Sequence, residues 1–161
     1  MAQAAIGYFK GEPNDYLLIY TGERLARAGA GLAFFYWRPS TTIVSVPTST
    51  LDTPFIFNET TGNFQSVSVQ GQLTYRIADP KRMASILNFS IDPATRAWTS
   101  TDPEKLAQRL VNVAQICTKH ELLQLSLEDA LRQAAPLAGK VLARVTAEPA
   151  LSEMGVECAG L

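Results

Sequence analysis

The chain has 161 residues, 47% of them hydrophobic and 18% charged, ordinary globular material long enough to bury about 70% of its unfolded surface in a single domain. Its 14 basic and 15 acidic residues leave a net charge of −1, without the basic surplus or Lys/Arg stripe that phosphate neutralisation demands, which argues against nucleic-acid binding. Two cysteines, Cys117 and Cys158, no signal-peptide pattern and no apolar run near the ~18 residues that span a bilayer point to a reducing, cytoplasmic setting with peripheral membrane contact at most.

Gly7, Gly11, Pro13, Asn14 and Asp15 give residues 1–15 the look of a flexible, loop-like opening. A short apolar run, Tyr16 to Tyr20, reads as the first strand. Thr21-Gly22-Glu23 reads as a turn, Arg24 to Ala28 as a second strand, and Gly29-Ala30-Gly31 as another turn. Leu32 to Trp37 is a continuous apolar run closed by Arg38-Pro39-Ser40. Thr41 to Thr50 alternates until Pro47 breaks or edges it. Phe55-Ile56-Phe57 is short and apolar, and the polar stretch from Asn58 to Asn63 turns the chain.

Residues 65–77 then alternate almost without interruption. Val67, Val69, Leu73, Tyr75 and Ile77 share one face with Gly71, and Ser66, Ser68, Gln70, Gln72, Thr74 and Arg76 share the other. A period of two predicts an extended strand with one buried and one wet face. It is far longer than the usual ~5–6 residues, which suits the central rib of an antiparallel sheet. The spacing of these runs suggests a meander.

The second half changes period. Asp-Pro recurs at 79–80, 92–93 and 102–103, and each pair marks a helix or turn start, with Asp as cap and Pro at the first helical position. A short helix follows Asp79 with Met83, Ile86 and Leu87 on its apolar side. Leu106, Leu110, Val113 and Cys117 recur at three- and four-residue steps, an amphipathic helix of about 18 residues. Ser126-Leu127-Glu128-Asp129 has the form of a capping box with Asp in place of Glu. Leu127, Leu131, Ala134, Ala138, Leu142 and Val145 form a further stripe. Pro136 inside it predicts a kink or two abutting helices. Pro149 ends the region, and Met154 to Cys158 begins a returning strand that stops short, as in a segment of a longer protein.

Candidate chemistry is sparse. His120 beside Lys119 reads as a partner for a helix C-terminus. Cys117 lies on an apolar stripe, and one His with two distant Cys does not make a zinc site. Glu128 and Asp129 suit a helix start, while Glu23, Asp52 and Glu59 fall in turns. Gly29-Ala30-Gly31 lacks the third glycine and the strand–helix setting of a dinucleotide loop. No catalytic, cofactor-binding or metal-binding residue is assigned. Phe34, Phe35, Tyr36 and Trp37 are the ambiguous set: a strand buried on both faces, or a strand with some of these rings turned outward, suited to a membrane or subunit contact. Ile6, Tyr8 and Phe9 beside Lys10 raise the same question at the N-terminus.

The residues Gly31-Leu32-Ala33-Phe34-Phe35, the Ile43 to Pro47 strand and above all Val67 to Ile77 resemble the SPFH (band 7) family of stomatins, prohibitins and flotillins. That family shows a Gly-Leu-x-Phe turn, then a strand of the form Val-x-Val-x-Gly-x-Val-x-Tyr-Arg-Val, two helices, and a Gly-Val/Ile-x-Val strand, here Gly155 to Cys158. The resemblance covers about residues 16 to 158. It implies a single α+β domain over 1–161, a curved antiparallel sheet in the N-terminal half packed on helices in the C-terminal half. It also implies a non-catalytic scaffold that assembles as a homo-oligomer at membranes and organises microdomains or neighbouring membrane proteins. Two departures stand out: no hydrophobic anchor precedes the domain, and the C-terminal coiled coil common in the family does not follow within these residues. Two other readings are a soluble module that recruits a partner at a sheet edge, around Pro47 or the last strand, and a hydrolase built on Glu or Asp residues.

Overall fold

In the computed structural model, which describes residues 4–161, the alternating runs become strands and the three- and four-residue repeats become helices. The fold is α+β, with antiparallel strands in the N-terminal half and helices in the C-terminal half. The chain gathers into two compact units. One comprises the residues up to Ser49 with Ile77–Glu104, and the other Thr50–Arg76 with Lys105–Leu161.

The first unit contains a two-stranded ribbon and a four-stranded sheet. The ribbon pairs β1 (Ile6–Lys10) with β4 (Ala33–Trp37). The sheet has the order β3-β2-β5-β8, from β2 (Asp15–Thr21), β3 (Arg24–Ala30), β5 (Thr41–Pro47) and β8 (Ser90–Ile91). Three expectations change here. Ile6–Lys10 form a strand where Gly and Pro content suggested a loop, because the alternation of Tyr8 with Phe9 finds a partner in Phe34 and Phe35. Residues 1–3 of that opening lie outside the described residues. Gly29 and Ala30 belong to β3, and Gly31 alone takes the turn, at φ 61°. The order is not a simple meander, since β5 returns to β2 and leaves β4 on the ribbon.

Phe9 and Phe34 from the ribbon pack with Leu17, Ile19, Ile43 and Ile91 from the sheet, and Leu32 and Tyr36 close the margin. β5 is buried on both faces from Ile43 to Val46: Ile43 packs with Phe9 and Phe34 of the ribbon, and α1 lies against the strand. The short helix α1 (Pro80–Ile86) starts as its sequence predicts: Asp79 accepts from the Arg82 N–H at 3.2 Å, Pro80 opens the first turn, and Met83 is fully buried. At Asp92-Pro93 no helix follows. Asp92 Oδ1 accepts from the Ala94 N–H instead, and the turn carries Trp98 to an indole N–H bond with Ser45 O at 3.2 Å.

The second unit is built on β7 (Ser66–Ile77), 12 residues long, with β6 (Leu51–Thr60) and β9 (Val156–Gly160) in the order β6-β7-β9. The long strand is thus central, as its alternation predicted. Pro54 is tolerated in β6 because β6 is an edge. The helices are α2 (Asp102–Leu122), α3 (Leu127–Arg132), α4 (Ala134–Ala147) and α5 (Pro149–Met154). Ser126 and Asp129 cap α3 reciprocally: Oγ accepts from the Asp129 N–H at 3.1 Å and donates to Asp129 Oδ2 at 2.8 Å. Pro136 falls in the first turn of α4, where a missing N–H costs little, so the chain divides into two abutting helices rather than kinking. Pro149 likewise opens a helix rather than closing the region.

The β6–β7 turn is tied to the end of α2. The Gly62 N–H donates to Leu125 O at 2.8 Å and Leu122 O at 3.2 Å, and Asn63 Oδ1 accepts from the Leu127 N–H. The bond to Leu122 O engages a carbonyl at the end of α2, and the bond to Asn63 engages an N–H at the start of α3. A Cβ on Gly62 would lie 2.5 Å from Leu123 O, a backbone atom with nowhere to go. Gly62→Ala is therefore expected to destabilise the protein by about 1–3 kcal/mol, read as a lowered urea midpoint with an unchanged m-value.

Candidate functional site

The ribbon sorts the four aromatic residues of β4 by parity. Phe34 is 6% exposed and belongs to the core, and Tyr36 is half-buried at its margin. Phe35 is 77% exposed and Trp37 53%. The strand is not buried on both faces: some of the rings face outward, because a strand with one covered face sends alternate side chains to opposite sides.

Pairing with β1 enlarges the exposed face. Ile6 lies opposite Trp37 and Tyr8 opposite Phe35, and Ile6 and Tyr8 are 60% and 57% exposed. The Tyr8 and Phe35 rings meet at 5.0 Å between centroids. Lys10 is exposed at one end of this apolar face, and Arg38 follows Trp37 at the other. The signal for Ile6 and Tyr8 was present in the sequence as alternation. Their assembly with Phe35 and Trp37 depended on a pairing across the intervening hairpin, which no local pattern shows.

The inner face holds the ribbon in place. Tyr36 lies across Gly7, where a Cβ would come 2.5 Å from the ring. Phe34 packs between Phe9 and Tyr36, at 5.8 and 6.1 Å between centroids. Arg96, in a left-handed conformation at φ 60°, stacks its guanidinium 4.7 Å from the Phe9 ring centre and donates to Lys10 O at 2.8 Å.

Of the remaining polar candidates, Asp52, Glu59, His120 and Asp129 are engaged in structure. Asp52 accepts from Thr74 Oγ1, Glu59 from Gln115 Nε2, and Glu121 pairs with Arg144 between α2 and α4. His120 contacts Gln124 Nε2 at 3.1 Å and lies 3.7 Å from Glu121. Burial pushes the Cys158 thiol up, and burial with Glu148 nearby does the same for Cys117, so both are held in the protonated, weakly nucleophilic form. The Asp15 carboxyl is also raised, by burial first and by Glu12 next, although its hydrogen bond with Ser45 opposes the shift. Among the described residues no three His, Cys, Asp or Glu gather as a metal site, and no helix is long and apolar enough to cross a membrane. A recess of ≈ 450 Å³ beside α1 has one carboxylate, Asp102, in its wall. An apolar recess of ≈ 400 Å³ in the second unit, walled by β7 and α4, has none.

Residues 9–161 of the chain match a family described as SPFH domain / Band 7 family. The chain belongs to the SPFH/Band 7 family. Membership accounts for the motif of β7 and for the return of the chain at Gly155-Val156 into β9. No curated protein matches the chain closely enough to add a relative by name. SPFH proteins are in general membrane-associated scaffolds that commonly oligomerise.

The parity of β4 makes a direct prediction. Phe34→Ala removes a core ring and is expected to cost about 3–5 kcal/mol. Trp37→Ala, on the outer face, is expected to stay within about 0.5 kcal/mol of the parent protein. Chemical denaturation of the two variants side by side checks this.

Proposed function

We propose that this SPFH domain is a non-catalytic scaffold whose ribbon face rests on a membrane surface, and that oligomerisation of the protein makes the contact strong. The observation that supports this reading is the grouping of Ile6, Tyr8, Phe35 and Trp37 on one exposed face. Aromatic rings with a polar edge suit the headgroup region, where one end can be apolar and the other wet. Lys10 and Arg38 at the ends of the ribbon add attraction to anionic lipid, worth about 1 kcal/mol per basic residue near the surface. One such face binds marginally. Many copies held together convert each further contact into an intramolecular one, and affinity rises by about 10²–10⁴.

The test is co-sedimentation with vesicles of phosphatidylcholine, with and without phosphatidylglycerol. The chain fused to a multimerising coiled coil is expected to bind far better than the chain alone, better to the anionic vesicles, and less at high salt. Replacing both Phe35 and Trp37 by Ser is expected to abolish binding while leaving the melting temperature nearly unchanged. Equal, negligible sedimentation of the monomeric and multimeric forms would refute the proposal.

A further inference from the structure

The ribbon has edges as well as faces. The Gly11 N–H donates to Leu32 O at one end, and the Arg38 N–H donates to Ala5 O at the other. Antiparallel pairs alternate between hydrogen-bonded and non-hydrogen-bonded. Counting inward from these bonds, Gly7 with Tyr36 and Phe9 with Phe34 exchange the ladder bonds. Ala33, Phe35 and Trp37, and opposite them Lys10, Tyr8 and Ile6, then turn their backbone groups away from the partner strand.

On the β1 side, the outward carbonyl of Lys10 is taken by Arg96. On the β4 side no strand is paired among the described residues; the outward carbonyl of Trp37 accepts from the Ser40 N–H at 3.4 Å, and Ala33 and Phe35 lie between that turn and the start of the strand. Exposed edges are ordinarily blunted by charge, proline, a bulge or brevity. β3 carries Arg24 and Arg27 and pairs through a bulge, β6 carries Asp52 and Pro54, β9 carries Glu157, and β8 is two residues long. β4, with the sequence Ala-Phe-Phe-Tyr-Trp, has none of these devices and the composition of a strong strand former.

A recess of ≈ 520 Å³ runs along this edge. Ile19, Thr21, Ala26, Arg27 and Thr41 of the four-stranded sheet face it across from β4, and Arg27 is the one charged residue in its wall. We infer that the free edge of β4 is a strand-addition site for an extended segment of another polypeptide, one whose acidic side chain enters the recess opposite Arg27. Main-chain bonds to Ala33 and Phe35 supply affinity, and the recess with its single positive charge supplies selectivity. This site is separate from the membrane face. The Phe35 ring leaves on the outer face of the ribbon, whereas its N–H and C=O point along the sheet toward the recess.

The experiment uses the 161-residue chain and acetylated, amidated hexapeptides that alternate Thr and Val with Asp at one central position. Two control series carry Lys in place of Asp, or alternate N-methylated peptide bonds. At saturation the Asp peptide is expected to slow amide hydrogen exchange at Phe35 by about tenfold or more. The Lys peptide is expected to do so less, and the N-methylated peptide not at all. Arg27→Glu, an exposed position, is expected to reverse the preference between the Asp and Lys peptides. The inference is overturned by an unprotected Phe35 amide, by equal effects of the Asp and Lys peptides, or by insensitivity to N-methylation. It is equally overturned if protection at Phe35 rises with protein concentration alone, which would make the occupant a second copy. Protection by vesicles without any response to peptide would assign the edge to lipid and overturn it too.

Discussion

The burial of Phe9 and Phe34 against Leu17, Ile19 and Ile43 is the constraint from which the rest of the first unit follows. These two rings come from strands far apart in sequence, and they meet as a hydrogen-bonded pair in the middle of the ribbon. Once they face inward, the period of two leaves no choice for their neighbours. Ile6, Tyr8, Phe35 and Trp37 must point outward, and Gly7 and Tyr36 must share the remaining inner space. Exposure of apolar rings ordinarily opposes solubility. Here it is the unavoidable companion of a well-packed inner face, and the fold makes that cost available for contact.

Much of the fold was legible in the sequence because it rests on local patterns. The alternation of Val67 to Ile77 required an extended strand, and the polarity of Ser66 to Arg76 required one wet face. Asp79-Pro80 and Asp102-Pro103 marked helix starts through chemistry within a single turn, and Ser126 with Asp129 did the same. What could not be read was decided at a distance. Residues 6–10 carry too much glycine nearby to be a strand on their own, and they become one only because β4 supplies a partner. Pro136 looked like a helix breaker because the register of its helix was unknown. In the first turn of α4 the same residue is acceptable.

The candidate site shows the same division. The sequence identified the run from Phe34 to Trp37 as unusual but treated it as one object, wholly core or partly surface. The strand resolves it into two interleaved sets with different roles: Phe34 and Tyr36 hold the ribbon on the sheet, and Phe35 and Trp37 meet the surroundings. The edge of β4 could not be foreseen at all, since an edge exists only relative to the strands that do not pair with it. Its blunted counterparts on β3, β6, β8 and β9 make its composition informative.

The clamp formed by Arg96 on Phe9 and Lys10 O has a bearing on how the chain matures. All residues of the ribbon and three strands of the four-stranded sheet precede Thr48, whereas β8, Arg96 and Trp98 emerge from synthesis much later. Until they do, the outer side of Phe9 and the free edge of β1 stay uncovered, and the nascent ribbon has two open edges instead of one. The interval between residues 47 and 96 is therefore when this chain is most exposed to mispairing. Closure of the first unit waits on β8 and on the turn after it, whose Trp98 bridges back to Ile91.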